Sequence, residues 1–578
     1  MIKKLANLIG EYKKDSLITP IFMVLEVIME VIIPLLMAFL IDYGINPGEM
    51  NMILIIGSAL FFSALISLLF GVLAGHYAAK ASSGFGKNVR KQLFYNVQNF
   101  SFSNIDKYST ASLITRMTTD VTNVQNAYQM ILRAAIRAPI MLLFSLIMAF
   151  SINARLSLVF LTIVPVLGLG LYFIIKKAHP LFKRVFKTYD KLNSVVQENL
   201  RGIRVIKSFV RDQEETKKFH QVSKSIFKDF STAEKILAFN APLMQFAIYT
   251  SILLISWFGA QFIVSDTMTT GELVSLISYA AQILMSLMMA SMVFVMITIS
   301  RASAERIVES LDEQTDLHNN DDPILEVASG DITFENVGFS YQHDKNNLVL
   351  ENINFSIKQG ETVGIIGGTG SSKTTLVQLI PRLYDTTVGT VKVGGVDVRN
   401  YDLHTLRDQV AVVLQKNVLF SGTIKENLRW GNKDATDEEL IRVCKLAQAH
   451  DFIMEMPDGY DTHIEQGGSN VSGGQKQRLT IARALLKRPK ILIFDDSTSA
   501  VDTKTDAYIR EAIRTEIPET TKIIIAQRVT SVMDADKIMV IDNGNIQAIG
   551  THDSLLTSNA IYQEVYQSQQ VGGIVDAI

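Results

Sequence analysis

The chain has 578 residues, too many for one ordinary domain, and its 48% hydrophobic content and mean hydropathy of +0.22 argue against a wholly soluble protein. A formal net charge of -2 gives no basis for a nucleic-acid partner, which normally shows a basic excess or stripe. The single cysteine, Cys444, excludes an intramolecular disulfide framework, and its setting in Ile441 to Leu446 reads as a buried thiol on a helix of a cytosolic domain.

Apolar runs near 17–41, 52–75, 130–151, 156–175, 241–264 and 273–299 are each long enough to cross about 30 Å of hydrocarbon as a helix, which predicts six spans in a lipid bilayer. Lys3, Lys4, Lys13 and Lys14 precede the first span, and the long connections 76–129 and 176–240 are rich in Lys and Arg. The connections 42–51 and 265–272 have neither, and 152–155 has only Arg155. The positive-inside rule therefore places the N-terminus, both long connections and everything after the sixth span in the cytoplasm of a multi-pass plasma-membrane protein. The first apolar stretch is too long for a signal peptide and lacks a small-residue cleavage site. Leu192, Val195, Val196, Leu200 and Ile203 keep helical periodicity inside a polar connection, so the spans are expected to continue as helices beyond the membrane.

Glu26 and Glu30 lie four apart in the first span, hence on one helix face. Carboxylates at that depth either face a cavity, where they would attract cationic cargo, or pair with a base such as Arg133 or Arg137 or with a helix end. In the sixth span Met285, Met288, Met289, Met292 and Met296 recur near helical spacing. They form either a soft surface that repacks around varied apolar ligands or an ordinary packing stripe. Together these features point to an amphipathic or cationic apolar cargo.

Residues 1–312 are thus expected to form the membrane domain and 313–330 a polar, proline-punctuated linker. From 331 to 570, β-rich stretches alternate with helical ones, which predicts an α/β domain, followed by a tail at 571–578. Val363 to Ile366 reads as a strand and Thr374 to Ile380 as a helix, and between them lies Gly367-Gly368-Thr369-Gly370-Ser371-Ser372-Lys373-Thr374. That is the context of a phosphate-binding loop, with backbone N–H groups wrapping phosphate oxygens, Lys373 on the β and γ phosphates and Thr374 on Mg²⁺. Thr375 continues the same turn. Ser372 occupies the usual glycine position before the lysine, and a positive φ there would strain the backbone by roughly 1 kcal/mol. Ile491 to Asp495 is an apolar strand ending in a carboxylate suited to hold Mg²⁺ at a strand's carboxyl edge.

Between these two motifs stands Val471-Ser472-Gly473-Gly474-Gln475, followed by Lys476-Gln477-Arg478. The order of elements resembles an ABC ATPase. The resemblance implies Tyr341 as the aromatic that stacks on adenine, Gln415 as the Q-loop glutamine serving both Mg²⁺ and catalysis, Ser472 to Gln475 as the signature, and Ser499-Ala500-Val501-Asp502 as the D-loop. Six spans ahead of this domain, with Glu198-Asn199-Leu200-Arg201-Gly202 in the second long connection, resemble half-transporters of the multidrug exporter type over essentially the whole chain. The implied fold is a six-helix α transmembrane domain with long cytoplasmic extensions, joined to an α/β P-loop ABC ATPase domain. Segments near Ser103 to Tyr108 and Phe209 to Glu214 would form the elbows that engage ATPase domains.

Two positions depart from the family pattern. Asp496 stands where a glutamate usually handles the attacking water, and losing one methylene draws the carboxylate back by roughly 1 Å, enough to cost about 100-fold in rate. Gln527 stands where the family has a histidine that contacts the γ-phosphate; its amide donates a hydrogen bond but cannot become cationic. Ile464 to Gly468 also differs from the usual order before the signature. The expectation is a subunit of a heterodimeric, ATP-driven exporter of amphipathic drug-like or lipid-like compounds. Its own site would hold ATP and cleave it poorly, and its signature would complete a competent site in a partner carrying Glu and His. The alternatives are an ATP-gated regulatory or channel-like subunit, or a dedicated lipid or peptide exporter.

Overall fold

The computed structural model describes residues 1–496 and 501–575. The chain divides into two compact units, one of residues 1–98 with 109–313 and one of 99–108 with 314 onward.

The first unit holds six helical segments apolar and long enough to cross a membrane: Gly10–Ile45, Met50–Gln98, Thr110–Ile152, Ala154–Arg201, Asp212–Val264 and Thr270–Asp312. They run 36 to 53 residues, whereas about 20 suffice for the hydrocarbon, so each continues beyond its apolar stretch. Leu65, Leu68, Leu69 and Val72 are exposed on the second segment, as lipid-facing side chains are. Val31, Phe160, Ile255 and Tyr279 are buried together, and the Tyr279 hydroxyl is satisfied by the Val31 carbonyl at 2.7 Å. Polar caps fix the turns between spans. Asn153 accepts from the Leu156 N–H at 3.1 Å, opening one helix. Thr269 and Glu272 form a reciprocal cap opening another, with Asp42 accepting from the Gly271 N–H at 2.9 Å. Toward the other end of the same unit, Phe85, Val89, Val121 and Ile307 form a second cluster, beside which Arg306 Nε donates to Asp120 at 2.7 Å.

The second unit is built on two sheets. A four-stranded antiparallel sheet runs in the order Leu350–Ile357, Ile332–Phe339, Val388–Val393, Val396–Asp397. The six-stranded sheet runs Asn545–Gly550, Lys537–Asp542, Thr362–Ile366, Thr521–Ile525, Ile491–Asp495, Val410–Val413, and only its first pairing is antiparallel. Its central strands are continuous apolar runs because both faces are covered. Leu492, Phe494 and Ile524 enter one core, and Ile491, Ile493, Ile523 and Ile525 enter the other. Cys444 is fully buried in the first of these cores, and burial pushes its thiol up to about 12. The parallel order places the loop after Ile366, the carboxylate of Asp495 and the turn after Ile525 side by side at the carboxyl ends of adjacent strands.

Candidate functional site

The loop from Gly367 to Ser372 leaves its strand and enters the helix Lys373–Gln378. Gly367 is required there, since a Cβ at this position would lie 2.0 Å from the Ile541 carbonyl oxygen. Gly370 and Ser372 both adopt left-handed backbone, with φ of 84° and 71°. The serine in the place of a glycine thus sits where an L side chain is strained. Lys373 Nζ lies over the loop and donates to the carbonyls of Gly367 at 2.9 Å and Gly368 at 2.7 Å and to Ser371 Oγ at 3.2 Å. Burial lowers its pKa, against the pull of Asp496 and Asp495. A concave turn of backbone with one ammonium at its mouth is chemistry for phosphate.

Beside it, the Thr374 hydroxyl donates to Asp495 Oδ1 at 2.9 Å. Burial raises the pKa of Asp495, which is 3% exposed, and the neighbouring charge of Asp496 adds to the rise; Thr374 and Lys373 oppose it. A hydroxyl and a carboxylate converging at one point are the hard oxygen donors that Mg²⁺ takes. Gln415, expected at that metal position, reaches elsewhere: its Nε2 donates to Asp496 Oδ2 at 3.1 Å. Gln527 Nε2 donates to the same oxygen at 2.7 Å. Asp496 itself has φ of 49°, with its backbone N–H on the Ile525 carbonyl at 3.0 Å. The structure therefore gathers Gln415, Asp496 and Gln527 into one group next to the Thr374–Asp495 pair.

Tyr341 is half exposed, and its hydroxyl lies 2.8 Å from Thr375 Oγ1, which ties the aromatic to the first turn after the loop. Its ring meets Phe339 edge-on at 4.8 Å and Tyr384 at 5.3 Å. Tyr384 was not marked by any sequence motif. It also carries the first elbow: the helix Phe102–Lys107 belongs to this unit, with Asp106 accepting from the Tyr384 hydroxyl at 2.6 Å and Asn104 Nδ2 donating to the Gln314 carbonyl at 3.0 Å. In the other unit, Phe209 and Val210 of the second elbow are 72% and 78% exposed.

Ser472 caps the helix Gly473–Leu486, its Oγ accepting from the Gln475 N–H at 3.2 Å while Gln475 Oε1 accepts from the Ser472 N–H at 2.9 Å. Ser472 and Gly473 are exposed, and no hydrogen bond among the described residues joins Ser472 to Gln475 with the phosphate loop. Asp502 caps the helix Thr503–Glu516 through the Thr505 N–H at 3.0 Å, which lowers its pKa. Ser499 and Ala500 lie outside the described residues.

In the membrane unit Arg137 takes both acids, with Nη1 on Glu26 at 2.7 Å and Nη2 on Glu30 at 2.6 Å. Of the two expectations for these carboxylates, the structure thus displays the ion pair. Met289 shares a cleft of about 330 Å³ with Arg133 and Arg137, whereas Met285 and Met292 are exposed.

Comparison with known proteins agrees with this geometry. Residues 16–287 match the family described as ABC transporter transmembrane region and residues 350–499 the family described as ABC transporter. An uncharacterized ABC transporter ATP-binding protein, YfiB of Bacillus subtilis, is 38% identical over 568 residues, 98% of each chain. A Staphylococcus aureus protein bearing the name "Putative multidrug export ATP-binding/permease protein" is 32% identical over 580 residues, 99% of this chain and 100% of its own. The solved structure of a bacterial Atm1-family ABC exporter with ATP bound superposes with a TM-score of 0.84 at 23% identity, covering 96% of this chain and 99% of that one. A transmembrane region of six long helices and an ATPase domain thus share one polypeptide with the fold of an exporter, and the chain belongs to the ABC transporters.

Proposed function

We propose that the chain is one half of a heterodimeric ATP-driven exporter, working in the plasma membrane with its ATPase unit in the cytoplasm. Its own site holds ATP and cleaves it poorly, and its signature completes the competent site of a partner. The observation that carries this reading is the double engagement of Asp496 Oδ2 by Gln415 at 3.1 Å and Gln527 at 2.7 Å. Orienting a water for attack needs a carboxylate lone pair at the right reach. Here the arm is one methylene short, and two amides occupy one carboxylate oxygen. Gln527, being neutral, also cannot supply the positive charge that a histidine can bring to a developing phosphate charge.

Holding nucleotide makes different demands, and the geometry of the loop and its neighbours supports that role. The loop Gly367 to Ser372, Lys373, Thr375 and Tyr341 would receive the phosphates and base, while Thr374 and Asp495 would hold Mg²⁺. The metal would supply charge neutralisation between phosphate oxygens. The stretch Ser472 to Gln475 opens its helix with Ser472 and Gly473 exposed and, among the described residues, no hydrogen bond to the phosphate loop, which suits completion of a site on another subunit.

The proposed cargo is amphipathic, drug-like or lipid-like. Arg137 pairs with both Glu26 and Glu30 and offsets one of their two negative charges, so the cluster selects a cation less strongly than two free carboxylates would. Copurification from membranes tests the pairing. A companion half-transporter with Glu and His at the positions of Asp496 and Gln527 is expected, whereas a symmetric twin of this chain hydrolysing ATP briskly at both sites overturns the reading.

A further inference from the structure

The phosphate loop and Asp495 sit at the carboxyl ends of the parallel strands. Near the amino ends of Thr362–Ile366 and Thr521–Ile525, a cleft of about 480 Å³ opens between those strands, the helix Thr503–Glu516 and residues 531–535. That volume falls within the roughly 300–1,000 Å³ of small-molecule sites. Phe494, Ile509, Ile513 and Ile524 line it, with Tyr508 exposed at the rim.

Lys522 sets the chemistry of this cleft. It is the second residue of its strand and only 3% exposed, on the same sheet face as Ile524 and Phe494. Its Nζ donates to the Pro518 carbonyl at 3.4 Å, and among the described residues no carboxylate lies within 4.0 Å of it. The arginines of the cleft are already matched: Arg510 pairs with Asp506 at 3.2 Å and Asp534 at 3.3 Å, and Arg514 with Glu511 at 2.8 Å. Lys504 also lines the cleft, with its Nζ over the Tyr508 ring, 6.0 Å from the centroid. Burial lowers the Lys522 pKa, against the more distant charges of Asp536 and Glu519. One buried cation with no carboxylate in direct ion-pair contact among the described residues, beside an apolar wall, is complementary to one negative charge on an apolar body. A triphosphate, which needs several N–H donors and cations together, would not be matched here.

We propose that this cleft is a second ligand site of the ATPase unit, taking a small aromatic monocarboxylate with its carboxylate on Lys522 Nζ and its ring system against Phe494 and Ile513. The site stands independently of the transport reading, since it uses no residue of the nucleotide site.

The test is photolabelling of the full chain in lipid nanodiscs with benzophenone-4-carboxylate, with labelled peptides identified by mass spectrometry. Label is expected in the 503–516 segment, to persist with saturating ATP and in Lys522→Arg, and to fall roughly tenfold or more in Lys522→Met, as for loss of a charge-assisted contact. An unlabelled 503–516 segment, undiminished labelling of Lys522→Met, or equal labelling by uncharged benzophenone overturns the proposal. Retained binding of a fluorescent ATP analogue shows that each variant is folded. Should Lys522→Met fail that control, Ile513→Trp, which fills the cleft from the helix side, must lose the label, and undiminished labelling there overturns the proposal equally.

Discussion

The Tyr384 hydroxyl donates to the Asp106 carboxylate at 2.6 Å across 278 positions of sequence, and the same ring meets Phe102 at 6.0 Å and Tyr341 edge-on at 5.3 Å. A continuous set of contacts therefore runs from the aromatic beside the phosphate loop to the helix Phe102–Lys107. Burial, reinforced by Asp106, pushes the phenol pKa above its usual value, so it remains a donor throughout the physiological pH range. Tyr384→Phe keeps the ring and removes a hydrogen bond to a charged group, a loss of about 1.5–3 kcal/mol. Amide exchange of residues 99–108 should accelerate at least roughly tenfold, read by hydrogen–deuterium exchange; unchanged exchange would show that the bond does not hold the segment.

The proposed division of labour between nucleotide sites predicts unequal mutational costs. On that proposal Asp496→Asn should leave the turnover of the copurified pair within about twofold, because the hydrogen-bonding shape survives and the competent site is the partner's. Ser472→Ala or Gly473→Glu should lower it by roughly 100-fold or more, the scale of removing a preorganised donor to a developing charge. Steady-state ATP hydrolysis in nanodiscs measures both, and similar losses from both would contradict the assignment.

Ser372 supplies a conformational test, since its φ of 71° is tolerated by serine at about 1 kcal/mol and is a severe outlier for a β-branched residue. Ser372→Gly relieves the strain but frees the unfolded chain by a similar amount, so its melting temperature should barely move. Ser372→Val should lower both the melting temperature and the affinity for a fluorescent ATP analogue, the latter by about tenfold. Equal behaviour of the two variants would mean that the left-handed turn is not kept in solution.

Removing Arg137 should be among the most damaging changes in the membrane unit. Arg137→Met leaves two partly buried carboxylates facing each other, a situation that costs about 3–5 kcal/mol. Adding Glu26→Gln and Glu30→Gln should restore most of the loss. Thermal aggregation temperatures of the single and triple variants in detergent decide this; a triple variant no better than the single one would assign the damage to packing.

Cys444 should resist chemistry in the folded chain. Only the thiolate attacks a maleimide, and a thiol pushed up to about 12 is almost entirely protonated at pH 8 as well as enclosed. N-ethylmaleimide should therefore label the denatured chain stoichiometrically and the native chain negligibly over an hour. Rapid native labelling would reveal opening of the core around Ala447 and Ile453.

Much was legible in the sequence because it is written locally. The spans follow from apolar length, and the phosphate loop follows from a strand, a glycine turn and a helix in immediate succession. The acid at the end of Ile491–Asp495 follows from a buried strand that must stop. Even the possibility of strain at Ser372 could be stated beforehand, since it concerns one residue's backbone. What only the tertiary structure decided involves partners far apart in the chain. Whether Glu26 and Glu30 faced a cavity or an arginine depended on how the first and third spans pack, and the structure places Arg137 on both. That Gln415 turns to Asp496 instead of the Thr374–Asp495 pair follows from the turns after three separate strands. Tyr384 and Lys522 carry no motif because their surroundings come from distant segments. Periodicity and short motifs record what the chain does within a few residues, and only packing brings distant side chains within hydrogen-bond range.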